Sequence, residues 1–200
     1  LNCLSHWQPC LPGKDQLGSP LKVGAIFTIG PYLFPQFIPQ LQSIAPKMPL
    51  FVEEGFTATL RQQLRKGDLD VIIVALPFTE ADVVTQALYE EPFVVLLPAA
   101  HQLAKKASLC ADDLIEENVL MLGEGHCFRD QILQALPSIR THAADDSGNI
   151  RTATAGSSLE TMRHMVASGI GITILPKSAA ESNYAPDTLV IRPLTEISAK

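Results

Sequence analysis

The heptapeptide Gly125-His126-Cys127-Phe128-Arg129-Asp130-Gln131 sets one thiol between an imidazole and a guanidinium where a helix is expected to begin. Only the thiolate attacks an electrophile, and a free cysteine is mostly protonated near neutral pH, so a reactive cysteine needs neighbours that stabilise negative sulfur. Three lie within reach of Cys127. His126 and Arg129 offer hydrogen bonds and positive charge, and the unpaired N–H groups of a helix starting near Phe128 offer the positive end of a macrodipole. Asp130 works in either direction: it pairs with Arg129 and fixes its aim, or it cancels part of the positive field. The plain alternative is that Cys127 is a small apolar core residue, the usual fate of a free cysteine.

The elements that must carry this stretch follow from hydrophobic period and punctuation. Leu21–Phe27 is a β-rich run, and Gly30-Pro31 opens a segment whose Leu33, Phe37, Ile38, Leu41 and Ile44 keep helical spacing, with Pro35 and Pro39 disturbing its regularity. Leu50–Glu54 reads as a second strand, and Thr57 as the cap of a helix over Ala58–Lys66 that Gly67 stops. Leu69–Leu76 is a continuous apolar run of the kind buried on both faces in a parallel sheet. Strand–helix–strand–helix–strand is an α/β pattern.

After Pro77 the order changes. Val83–Glu90 and Pro92–Leu97 read as adjacent extended segments where the chain crosses between two lobes. A short helix at Asp112-Asp113-Leu114, a strand over Val119–Leu122 and a helix over His126–Ala135 follow, so the cysteine comes just after a strand, where open α/β sheets gather ligands. Ile139–Gly156 reads as a long polar loop with an extended segment near Ile150–Thr154. Ser157-Ser158-x-Glu160 resembles a capping signature for a helix bearing Leu159, Met162, Met165 and Val166 and stopped at Gly169. Gly171–Leu175 and Leu189–Ile191 are the last strands. Leu1–Pro20, broken by three prolines and two cysteines, reads as a linker or an imported end.

Composition removes several function classes. With 200 residues, 46% of them hydrophobic, the chain can bury a sizeable core, and a net charge of −6 argues against a basic surface that grips nucleic acid. Four irregularly spaced cysteines do not make a secreted disulfide framework, which points to a cytoplasmic setting. No Cys-x-x-Cys or His-Glu-x-x-His is present, so neither a metal nor a cofactor is expected. No apolar stretch approaches the roughly 20 residues that span a bilayer, so no membrane partner is expected either.

Three stretches together resemble the effector-binding domain of LysR-type transcriptional regulators. They are Leu-x-Val-Gly-Ala-Ile-x-Thr-Ile-Gly-Pro-Tyr-Leu at Leu21–Leu33, the cysteine heptapeptide, and Ser-Leu-Glu-Thr-Met-Arg-x-Met-Val-Ala-x-Gly-x-Gly-Ile-Thr-x-Leu-Pro at Ser158–Pro176. The third is typical of the whole family, and the second of its peroxide-sensing members. The resemblance implies a periplasmic-binding-protein-like fold of two α/β lobes: 1–20 a linker, 21–91 the first lobe, 92–194 the second lobe with the cysteine, and 195–200 the start of a crossover back to the first. It also implies a homodimer or homotetramer, and promoter DNA bound through an amino-terminal winged helix-turn-helix that these 200 residues do not contain.

For the site, the resemblance implies that Cys127 reacts with hydrogen peroxide to give a sulfenic acid, later returned to the thiol by cellular thiol reductants. Thr28 and Thr57 match the family's threonines, and Thr28, Thr57, His126, Arg129 and Asp130 are the residues expected to bind and activate the peroxide. Thr28 and Thr57 also have plain readings as capping threonines. Members of this group carry a resolving cysteine nine positions beyond the first, and here that position is Leu136. Either Leu136, natural or introduced, holds the reduced state, or another thiol such as Cys110 or a small-molecule thiol takes over. Cys110 also reads as merely structural, His101 as a solvated turn residue, His142 as a loop residue, His164 and Arg163 as solvent-facing, and Met162 and Met165 as core packing. Two other functions remain open: a cleft that binds an organic anion through Thr28, Ser158 and helix N-termini, and a thiol peroxidase. Turnover as an enzyme is not expected.

Overall fold

The computed structural model describes residues 17–137, 139, 158–181 and 187–199. Cys3, Cys10, most of the expected linker, His142 and the segment expected at 150–154 lie outside them.

The first lobe is built on a parallel sheet of three strands, β1 (Leu21–Ile26), β2 (Leu50–Gly55) and β3 (Val71–Ile73), in the order β2-β1-β3. Helices α1 (Gly30–Ile44) and α2 (Thr57–Lys66) make the crossovers. Central β1 buries Val23, Ala25 and Ile26, and it can approach α2 closely because residue 24 is glycine. A Cβ at Gly24 would lie 2.7 Å from both the Leu60 and Leu69 side chains, a distance that real side chains do not tolerate. As expected, α2 stops at Gly67.

Two expectations for this lobe are corrected. The run at 69–76 is not a strand buried on both faces: β3 has three residues, and Val71 is 46% exposed. It lies at one end of the strand order, and after Ile73 the chain leaves the sheet, so Val74, Ala75 and Leu76 line a cavity instead of a second packed layer. Thr57 is not a cap either. It is the first residue of α2 behind Phe56, with no side-chain capping bond.

The second lobe is a mixed sheet, β5-β6-β4-β7. Its strands are β4 (Glu91–Pro98), β5 (Val119–Leu120), β6 (Ile172–Pro176) and β7 (Leu189–Ala199). Around it lie α3 (Cys127–Ala135), α4 (Leu159–Ala167), the single turn α5 (Lys177–Ala180) and two 3-10 turns. β4 buries Phe93–Leu97 at the centre of the larger core, which also takes in Phe128, Ile132 and Leu136 from α3 and its end. Val83–Glu90, expected as a strand, has no ladder and runs as irregular chain between the sheets along the same cavity. β7 is far longer than its three expected residues, pairing with β4 from Leu189 opposite Pro98 to Ala199 opposite Glu91.

Several residues read as incidental are placed firmly. His101 is not solvated: its Nδ1 accepts from the Leu103 N–H at 3.3 Å and its Nε2 meets the Glu117 carboxylate at 3.3 Å. Cys110 caps the 3-10 turn at Ala111–Leu114, where Asp113 accepts from its backbone N–H at 3.0 Å. Arg163 is the largest correction, since it is 1% exposed, donates to the carbonyls of Ala179 and Ala180, and pairs with Glu160 at 3.3 Å.

Candidate functional site

Cys127 belongs to the second lobe yet packs against the first. It opens α3 and lies against the small cluster of Ile26, Leu60 and Leu69. Gly125 makes this entry possible with a φ of +89°, a left-handed value that L side chains rarely adopt. His126 then sits at the N-cap in extended conformation.

All three strands of the first sheet end beside the thiol. Beyond β1 comes Thr28, 5% exposed and on the wall of the cavity that Cys127 also lines. Past β2 comes Thr57, whose buried hydroxyl has no hydrogen-bond partner among the described residues and favours the thiolate. After β3 comes Ala75, which packs with Cys127 against the Ile26, Leu60 and Leu69 cluster, and its backbone N–H, like that of Phe128 from α3 itself, favours the thiolate. Parallel strands point their carboxyl ends the same way, which is why ligands gather there in open α/β sheets.

Burial nevertheless has the largest influence and pushes the Cys127 thiol above its ordinary range. Thr57 and the two N–H groups oppose that rise, and the exposed Asp130 carboxylate adds to it. The charge-driven lowering expected from His126 and Arg129 is therefore not the balance found here. His126 is 7% exposed, held edge-on to Phe56 with ring centroids 4.9 Å apart and tilted against Phe27 at 6.2 Å. Burial lowers its basicity and so favours the uncharged imidazole, and its Nε2 has no hydrogen-bond partner among the described residues. Arg129 pairs with Glu124 at 3.9 Å, not with Asp130.

Cys127, Thr28 and Gln131 share one wall-lined cavity of about 230 Å³, otherwise mostly apolar, with Ile26, Val74 and Phe93 among its residues. Gln131 was not singled out by sequence, although it stands in the same heptapeptide. Its Nε2 donates to the Leu76 carbonyl at 2.9 Å, joining α3 to the segment after β3. A second link between the lobes is also new: the Tyr32 hydroxyl in α1 donates to Glu160 in α4 at 2.9 Å, and burial together with that carboxylate holds Tyr32 protonated far beyond its usual range. Ser158 is spent as the N-cap of α4, accepting from the Thr161 N–H at 3.2 Å, and is not among the cavity residues. Leu136, at 2% exposure, is core. Among the described residues, no His/Cys/Asp/Glu cluster could hold a metal ion and no helix is long and apolar enough to cross a membrane.

A thiol with these partners is a nucleophile whose charge forms under donors already in place. Because its thiolate is a minor species near neutral pH, alkylation of Cys127 by iodoacetamide should rise about tenfold per pH unit between pH 6 and 8. Peptide mass spectrometry separates this site from Cys110, and a flat profile would mean a thiolate already formed at pH 6.

The LysR substrate binding domain family matches residues 14–200, and the chain belongs to it, with the two-lobed periplasmic-binding-protein-like fold of its regulatory domains. Within that family it is similar to OxyR proteins. It is 36% identical over 179 residues to the DNA-binding transcriptional dual regulator OxyR of Escherichia coli (strain K12), covering 90% of this chain and 56% of that protein. The chain thus spans about half the length of the curated relatives it matches. It is similar to the solved reduced form of the OxyR regulatory domain from Pseudomonas aeruginosa, with 54% identity, a TM-score of 0.82, and coverage of 92% of this chain and 86% of that one. A Corynebacterium glutamicum OxyR mutant with hydrogen peroxide bound is 29% identical, with a TM-score of 0.75 and coverage of 89% and 54%.

Proposed function

We propose that this chain is the redox-sensing regulatory part of a bacterial transcription regulator of the oxidative stress response, and that its signal is hydrogen peroxide. The observation that carries this reading is the convergence of three strand ends and a helix start on one thiol beside a cavity. The Cys127 thiolate attacks one peroxide oxygen, forming the S–O bond as the O–O bond breaks. The second oxygen leaves as hydroxide and is protonated to water, while sulfur is oxidised to the sulfenic acid.

In this reading Thr28 orients the peroxide from the cavity wall, and Thr57 steadies charge on the sulfur and the departing oxygen. The unpartnered Nε2 of His126 is a further hydrogen-bonding group for the leaving oxygen, and Arg129 and Asp130 set the field at the mouth. Thiol reductants then reverse the reaction. The protein acts in the cytoplasm as a homodimer or homotetramer and meets promoter DNA through a separate amino-terminal domain. It works as a switch and not by turnover. The two lobes divide at the start of β4, and the chain returns to the first from the end of β7.

The test is intact mass and free-thiol titration after one equivalent of hydrogen peroxide, with Cys127→Ser as control. One oxygen added at Cys127, and none in the control, is expected. Without selective oxidation there, the reading fails. Saturable binding of an organic anion with no oxidation would instead favour a metabolite sensor, and continuous turnover with added reductant a peroxidase.

A further inference from the structure

We infer that Gln131 is a positioning residue for the Cys127 thiol, clamping α3 of the second lobe to the Ala75-Leu76 segment of the first so that a backbone donor stays on the sulfur. This rests on Cys127 being the reactive group proposed above. Gln131 lies four residues after Cys127 in α3, and residues at that spacing share one helix face. From that face the two side chains reach two consecutive residues of one extended segment. Cys127 packs with Ala75 against the Ile26, Leu60 and Leu69 cluster, where the Ala75 N–H favours the thiolate, and Gln131 Nε2 donates to the Leu76 carbonyl at 2.9 Å. All four residues line the same cavity.

The geometry gives the glutamine amide a task that helix formation does not require. The Ala75-Leu76 segment has already left β3, which ends at Ile73, so its sheet no longer fixes its place. What ties it across the gap between lobes is the half-buried amide of Gln131, whose bond is to the Leu76 carbonyl and not to the sulfur. Without that tie the Ala75 N–H drifts from the thiol, and a donor that favours the charged form is withdrawn. Donation is what matters, since the acceptor is a carbonyl oxygen. Methionine or leucine fills the space but donates nothing.

The experiment uses the 200-residue chain with Gln131→Met and, in parallel, Gln131→Leu. The Cys127 pKa is measured from iodoacetamide alkylation against pH, followed at the Cys127 peptide, alongside the second-order rate of oxidation by hydrogen peroxide and the thermal midpoint. Midpoints near the parent are expected, with the thiol pKa raised by roughly half to one unit and peroxide oxidation at pH 7 slowed about three- to tenfold, the gap closing at high pH. A merely structural role would lower the midpoint and leave the pKa in place, and that result would overturn the inference. Gln131→Lys, which keeps a donor of similar reach, should oxidise at close to the parent rate. A tenfold loss there, despite its added positive charge, would also overturn it. If the parent thiol is inert to peroxide, the functional reading falls, while the alkylation pKa still decides the role of Gln131.

Discussion

Replacing Arg163 by alanine is expected to destabilise the domain by about 3 kcal/mol, a loss of roughly 6–12 °C in Tm for a chain of this size. The side chain is 1% exposed, and its guanidinium donates to the Ala179 and Ala180 carbonyls at the end of α5 while pairing with Glu160. Alanine leaves those acceptors facing a cavity and removes the cation from a carboxylate that also receives the Tyr32 hydroxyl. Lysine keeps the charge but not the planar fork, so Arg163→Lys should lose about half as much. Urea unfolding of both variants measures this, and a cost below about 0.5 kcal/mol for alanine would show that the buried guanidinium does not organise α4 and α5.

Oxidised Leu136→Cys is expected to lose α3, whereas the oxidised parent keeps it. Nine residues of helix separate positions 127 and 136 by about 13 Å along the axis. A disulfide needs Cα atoms about 5.5–6 Å apart, so the bond cannot close while α3 is intact. Leu136 is 2% exposed beside Phe128, Ile132 and Ile139, and the substitution alone should cost about 1–3 kcal/mol. After one equivalent of peroxide the variant should lose two thiols, about two mass units and a helix-sized part of its far-ultraviolet circular dichroism. The parent should gain about 16 mass units at Cys127 and keep its spectrum. A disulfide formed with the helical signal unchanged would refute the coupling. In the parent, oxidation at Cys127 has no partner at position 136 through which to unwind the helix.

Where local chemistry decides an element, it was legible. Gly67 ends α2 and Gly169 follows α4, both with positive φ, and Ser158 caps α4 with its own hydroxyl. The burial of Arg163 was legible in principle. It falls with Leu159, Met162 and Val166 on one stripe at i, i+3, i+4 and i+7, but its charge made a solvent-facing reading the natural one. Thr57 was misread for the opposite reason, because a threonine before a helical run has the composition of a cap, while the chain starts the helix one residue earlier.

The amino-acid sequence by itself determined that the chain alternates strands and helices in its first part, that it has one thiol at a helix start with polar neighbours, and that position 136 carries no second thiol. Each of these is a property of residue type and short spacing. Tertiary structure alone decided what surrounds that thiol. Thr28, Thr57 and Ala75 follow three strand ends, far apart in the chain from Cys127, and Thr57 and Ala75 act on the thiol while Thr28 shares its cavity only because parallel pairing aligns those ends. The sign of the shift at Cys127 was likewise out of reach of the sequence, since burial depends on the lobe packed opposite. His126 and Arg129, its nearest charged-looking neighbours, are turned instead to an aromatic pair and to Glu124.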